Sequence, residues 1–306
     1  MQKITVSKNG DSDYKSLQEA IDSIRVHPLE HVTIFLKEGI YEEKVIIPDN
    51  KPDLRIVGEG PRKTIIRFGD YAEKIDENNK KYGTFRTPVF YAQSDNLIIE
   101  NLTIENIAGF GPDIGQAIAL YVSGDKCIFN NVSLLGNQDT LYSAKGRQYF
   151  YKCYIEGHVD FIFGSGTVVF DHCTIHSLRD GFITAPSTPK ENKFGFVFLD
   201  CNLTSSSPNN IVYLGRPWRP YGHAAFIRTW MDTHIIPTGW DNWDNVENEK
   251  TARFFEYCNK GPGAIIEKRV KWSHQLTTSE SLEYTVENIF TIKDEWVPNV
   301  KAQNNN

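Results

Sequence analysis

The chain has 306 residues, with 24% charged and 40% hydrophobic side chains and ordinary glycine and proline usage. That composition excludes a disordered, collagenous or membrane-spanning chain; the longest apolar runs, such as Val32–Leu36 and Phe196–Leu199, fall far short of the roughly 18 residues a spanning helix needs. A net charge of -6 without any basic tract argues against nucleic acid or an anionic membrane as partner.

The first residues, Met1–Val6, carry no apolar stretch of the kind a secretory leader has. Ser16-Leu-Gln-Glu19 reads as a capping box. Leu17, Ala20, Ile21 and Ile24 then recur at helical spacing, which predicts a one-sided helix over 16–24, about three turns long. Alternating strands are expected at Val32–Leu36, Val45–Ile47, Leu54–Val57 and Thr64–Phe68, and the charged stretch Tyr71–Gly83 reads as an exposed loop. An aromatic content of 12% with only 2 methionines favours strands throughout.

From about residue 97 to 204 a three-position pattern repeats: an apolar residue, another three further on, and a third two beyond that. The copies are Ile99/Leu102/Ile104, Phe129/Val132/Leu134, Phe150/Cys153/Ile155, Phe170/Cys173/Ile175 and Phe198/Cys201/Leu203, at offsets of 30, 21, 20 and 28 residues. Self-similarity at this period marks a solenoid. The strand-like alternation and modest leucine content point to an all-β chain, a right-handed parallel β-helix rather than a leucine-rich repeat. The helix over 16–24 then plugs its open N-terminal end. No linker is visible, so 1–306 reads as a single domain, with Thr278–Tyr284 as a short helix and about 301–306 as a frayed tail.

The repeat accounts for three of the five cysteines: Cys153, Cys173 and Cys201 share one inward slot and are expected to be reduced core residues. Asn101, Asn131 and Asn202 head three apparent glycosylation sequons, read instead as strand chemistry. His172 and His176 on a strand pattern make no metal site, and Gly109-Phe-Gly111 makes no phosphate loop. No metal or cofactor is expected.

Following the register past the strands, Asp139 lies five beyond Leu134 and Asp160 five beyond Ile155. Neighbouring strands lie about 4.8 Å apart, so the two aspartates stack on consecutive coils. Close like charges split their pKa values, which yields one acid and one anion from a single residue type. Asp180 falls five beyond Ile175 and reads as a turn residue. Gln116 and Gln138 add amide donors nearby in sequence, and Arg216 offers a fork suited to a carboxylate.

At these residues the chain resembles the pectinesterases, the pectin methylesterase family of carbohydrate esterases. The resemblance covers Gly39-Ile-Tyr-Glu-Glu43, Gln116-Ala-Ile-Ala-Leu120, Gly136-Asn-Gln-Asp-Thr-Leu141, Gly157-His-Val-Asp-Phe-Ile-Phe-Gly164 and Leu214-Gly-Arg-Pro-Trp218, and continues to Gly239-Trp240, Gly261-Pro-Gly-Ala264 and Arg269-Val-Lys-Trp272. It implies a right-handed parallel β-helix and removal of methyl esters from C6 of galacturonate in methylesterified homogalacturonan or its oligomers, with release of methanol and pectate. It implies Asp160 as nucleophile, Asp139 as general acid and base, Arg216 as the partner that orients Asp160 and lowers its pKa, and Gln116 and Gln138 as oxyanion donors. It also implies Phe85, Phe163 and Trp218 as sugar-stacking residues, with Val159 and Tyr142 as weaker contacts. The chain departs from many plant members at Asn137, where they carry an aromatic residue. The family is typically secreted and monomeric; the leaderless start leaves a cytoplasmic enzyme as the alternative. Rival readings are another pectin-active β-helix, a polygalacturonase or lyase, and a non-catalytic carbohydrate-binding β-helix.

Overall fold

The computed structural model of the chain describes residues 2–206 and 211–299. Its strands wind into a right-handed parallel β-helix. An 11-stranded sheet runs from Gln2–Val6 to His274–Gln275 along one face. A 13-stranded sheet covers the other two faces, because the long strands Tyr154–Gly164 and Thr174–Pro186 bend from one face onto the next.

The sequence repeat maps onto register. Phe129 pairs with Ile99 on one side and Phe150 on the other, followed by Phe170, Phe198 and Phe226. Leu134, Ile155, Ile175 and Leu203 form the matching column one face on. The phenyl rings stack at centroid distances of 4.4, 5.1, 4.5 and 4.3 Å, close to the strand spacing itself. One rung beyond Phe226 the slot holds Glu256, buried with Arg269 in an ion pair of 2.9 Å. Cys153, Cys173 and Cys201 are reduced and buried, each thiol donating to a carbonyl of the preceding coil, those of Phe129, Phe150 and Phe170.

Between the first two faces the chain turns sharply on a single residue with positive φ. Asn101, Asn131, Lys152, His172, Asp200, Arg228 and Cys258 occupy this corner, with φ between 48 and 56. Two of the sequon asparagines are therefore corner residues rather than strand residues; Asn131 donates to the Asn101 amide oxygen at 2.7 Å. Asn202 does open a strand, Asn202–Ser205.

The N-terminal helix spans Leu17–Ser23 and is shorter than its sequence spacing implies. Ile24 is extended, so it packs in the core without belonging to the helix. Ser16 accepts from the Glu19 amide, but the return bond from the Ser16 amide to the Glu19 carboxylate that would complete the expected capping box is not made, and the amides of Leu17 and Gln18 donate to Glu43 instead. Lys51 donates to the Ile21 and Asp22 carbonyls at the other end. Charges from outside the helix thus complement both ends of its dipole. The Gln18 amide bonds both backbone groups of Ile46, covering an open strand edge.

At the other end, short helices Thr278–Ser281 and Val286–Phe290 replace the single helix expected over Thr278–Tyr284. They lay Tyr284, Ile289 and Phe290 on the outer face of the 11-stranded sheet, against Tyr149, Val169, Val197 and Ile227. Buried Arg147 ties this strap down through the Phe290 carbonyl and the Asp294 carboxylate. The tail expected to fray, 301–306, lies outside the described residues.

Candidate active site

Asp139 and Asp160 sit at the next corner of the helix, between the second and third faces. Leu134 pairs with Ile155 and Leu141 with Ile162, so the two aspartates stand in register on consecutive coils. Their φ values are 65 and 51, the same left-handed bend as at the first corner. The Asp139 amide donates to the Val159 carbonyl at 3.2 Å, and the Thr140 hydroxyl to the Glu156 carbonyl at 2.8 Å. Gly157 allows this close turn, since a Cβ there would stand 2.3 Å from that of Phe161. Gly215 does the same for Arg216: its missing Cβ would stand 2.0 Å from the Thr184 hydroxyl, while the Arg216 amide donates to the Thr184 carbonyl at 2.9 Å.

Arg216 meets Asp160 through both carboxylate oxygens, Nε to Oδ1 at 2.9 Å and Nη2 to Oδ2 at 2.7 Å. Asp139 receives no such pairing from the described side chains. Both carboxylates are nearly buried, at 8% and 7% exposure. Burial pushes the pKa of Asp139 well above the ordinary value, and the neighbouring Asp160 charge adds to it. Burial also raises the pKa of Asp160, against the pull of Arg216. The lowering expected for Asp160 is thus reversed, because the cost of desolvation exceeds the gain from the guanidinium. The split survives in a different form: two raised carboxyls, of which only Asp160 is hydrogen-bonded to the cation, while Asp139 feels Arg216 more weakly than its own burial.

A cleft of about 270 Å³ opens over the pair, lined by Thr84, Phe85, Gln116, Gln138, Phe163, Ala185, Trp218 and Trp243 as well as Asp139, Asp160 and Arg216. The side-chain amides of Gln116 and Gln138 make no hydrogen bond to the described residues. An aromatic row runs along one face, Tyr91, Tyr121, Tyr142 and Phe163, paired strand to strand and ending at the cleft with Phe163. Phe85 is 51% exposed and leans on Tyr142 at 5.1 Å; Trp218 meets Phe163 at 5.7 Å. Of the residues expected from sequence, Asp139, Asp160, Arg216, Gln116, Gln138, Phe85, Phe163 and Trp218 line one cleft. Tyr142 and Val159 are absent from the lining, but Tyr142 is half-buried beside it, its ring 4.6 Å from that of Phe163 and 5.1 Å from that of Phe85. Asn137 is absent from the lining and accepts from Arg179 at 2.7 Å.

Sequence reading misses Thr84, Trp243 and Phe182. Arg216 lies between the rings of Phe182 and Trp243, each with its centroid 3.8 Å from the guanidinium carbon. No periodicity marks either aromatic, since Trp243 comes from an irregular loop and Phe182 from a bulged strand. Asp180 is exposed on that same bulge, where Gly157 still pairs with Ser177 but Val159 pairs with Phe182.

The pectinesterase family model matches residues 3–293. This chain belongs to the pectinesterase family. It is 41% identical to Pectinesterase 31 of Arabidopsis thaliana, over 91% of this chain and 89% of that one. It superposes on a pectin methylesterase solved in complex with a hexasaccharide, with a TM-score of 0.87 at 31% identity, covering 97% of this chain and 99% of the other. It superposes on the pectin methylesterase from carrot with a TM-score of 0.86 at 29% identity, over 94% and 93% of the two chains. The pectinesterase is a hydrolase acting on pectin methyl esters. None of its described helices is long and apolar enough to cross a membrane.

Proposed function

We propose that this pectinesterase cleaves the C6 methyl ester of galacturonate through an acyl-enzyme on Asp160. The observation that carries this reading is asymmetry: two stacked, buried carboxylates, of which only one has a bidentate arginine. Asp160, its anionic form stabilised and oriented by the two hydrogen bonds from Arg216, attacks the ester carbonyl carbon. The carbonyl oxygen gains the negative charge, and the free amides of Gln116 and Gln138 stabilise it. Asp139, protonated because burial and Asp160 oppose its ionisation, gives its proton to the departing methoxide oxygen. Methanol leaves, and an Asp160–galacturonoyl anhydride remains. Asp139, now anionic, takes a proton from water; the hydroxyl attacks the anhydride, releasing galacturonate and restoring both aspartates.

Phe85, Phe163 and Trp218 serve as stacking surfaces for the sugar rings, and the hexasaccharide-bound relative supports an oligomer or polymer as substrate. Tyr142, stacked on Phe163 at 4.6 Å, extends this platform, and Val159 is a weaker contact. The enzyme works as a single-domain monomer on extracellular pectin. The deciding experiment follows methanol release and viscosity together on highly methylated pectin. Methanol without a fall in viscosity is expected; chain shortening without methanol would overturn the assignment.

A further inference from the structure

The guanidinium of Arg216 makes hydrogen bonds only to Asp160 among the described residues. A cation held solely by the group it is meant to orient cannot fix that group's position. Its independent support is aromatic. Phe182 covers one face and Trp243 the other, both at 3.8 Å, and Tyr213 backs Phe182 at 5.2 Å with its plane 15° away. Arginine planes stack well on such faces while leaving their edge free for a carboxylate.

The backbone on the Trp243 side is strained. Trp243 and the following Asp244 have φ of 60 and 52, a conformation that bulky residues rarely adopt. The Asp241 carboxylate accepts from the Trp243 amide at 2.7 Å, and Asn242 is tied to Glu249 and Asn248 of the helix Val246–Glu249. On the opposite side, the bulge between Ser177 and Phe182 places a phenyl group beside the arginine.

Resting on the reading of Asp160 and Arg216 given above, we propose that Phe182 and Trp243 are positioning residues for pectin demethylation. They clamp the Arg216 guanidinium in the plane in which its edge meets both oxygens of Asp160. Trp243 also lines the cleft, so Phe182, which does not, carries the test.

The experiment measures kcat and KM for methanol release, across pH, in Phe182→Leu, Phe182→Tyr, Trp243→Leu and Asp160→Asn, with thermal melts for each. Phe182→Leu keeps apolar bulk but loses the ring face; kcat is expected to fall about tenfold with KM within about twofold. The groups facing Asp160 are Asp139, Arg216 and Asp241. With the cation loosened against Asp139 and Asp241, the acidic limb of the kcat profile moves to higher pH. Phe182→Tyr restores both kcat and the limb, and Trp243→Leu moves the limb the same way. An unchanged kcat and acidic limb in Phe182→Leu, or a loss that Phe182→Tyr does not restore, overturns the clamp while Asp160→Asn stays inactive. Full activity in Asp160→Asn instead overturns the reading beneath it.

Discussion

Two corners of the solenoid use one backbone conformation for different ends. At the first corner, Asn101, Asn131, Lys152, His172, Asp200 and Arg228 bend with positive φ, and side chains there pair along the surface, Asn131 with Asn101, Arg228 with Asp200 and His172 with Asp171. Asp200 and Arg228 form an ion pair there with both side chains at least a third exposed. At the second corner, Asp139 and Asp160 bend the same way, but aromatic walls exclude water from them. The bend alone therefore makes no site. Stacked polar residues become reactive where burial shifts their protonation and a single partner breaks their equivalence.

Substitutions at the two corners should differ accordingly. Asp139→Asn is expected to lower turnover about 10²–10⁴-fold by removing the acid. The same change should stabilise the fold at neutral pH, as a denaturant titration would show. The sign follows from Asp139's raised pKa. Above its ordinary 3.8 the unfolded chain ionises while the folded chain resists, so stability is lost as pH rises through that interval. The gain from Asn closes as pH falls toward 3.8, and a pH-independent gain would contradict the buried-carboxyl account.

Gln138→Ala is expected to cost about 10²–10³ in kcat with little change in KM, measured by methanol release. An effect confined to KM would assign Gln138 to ground-state binding instead.

At the first corner the effects should be on stability, and small. Lys152→Gly relieves a left-handed lysine and should be stabilising by about 0.5–1 kcal/mol with normal activity. Asp200→Asn removes an exposed ion pair and should cost under about 1 kcal/mol, an effect that fades at high salt. A tenfold activity loss in either variant would erase the distinction between the corners.

Much of this was legible in sequence because a solenoid returns each side chain to the same slot. The Phe and Cys columns and the pairing of Asp139 with Asp160 follow from counting along the repeat. What escaped the count has no repeat behind it. The helix ends are set by Glu43 and Lys51, 26 and 30 residues away from the groups they bind. The strap carrying Phe290 packs on the outside through Arg147, a contact across 143 residues. The pKa direction of Asp160 depends on enclosure by Trp218, Trp243 and Phe163, which no local spacing encodes.

The bulge after Ser177 also limits the charge of the site. Continued without interruption, the pairing of Ile155 with Ile175 and Gly157 with Ser177 would bring Asp180 into line with Asp160. A third acid would then stand in the row, competing for the same guanidinium and for the proton that Asp139 holds. The extra residues carry Asp180 out to solvent and bring in an aromatic ring. A local lengthening of one coil thus caps the carboxylate row at two members, and a deletion there would alter the proton inventory of the active site without touching any residue that lines it.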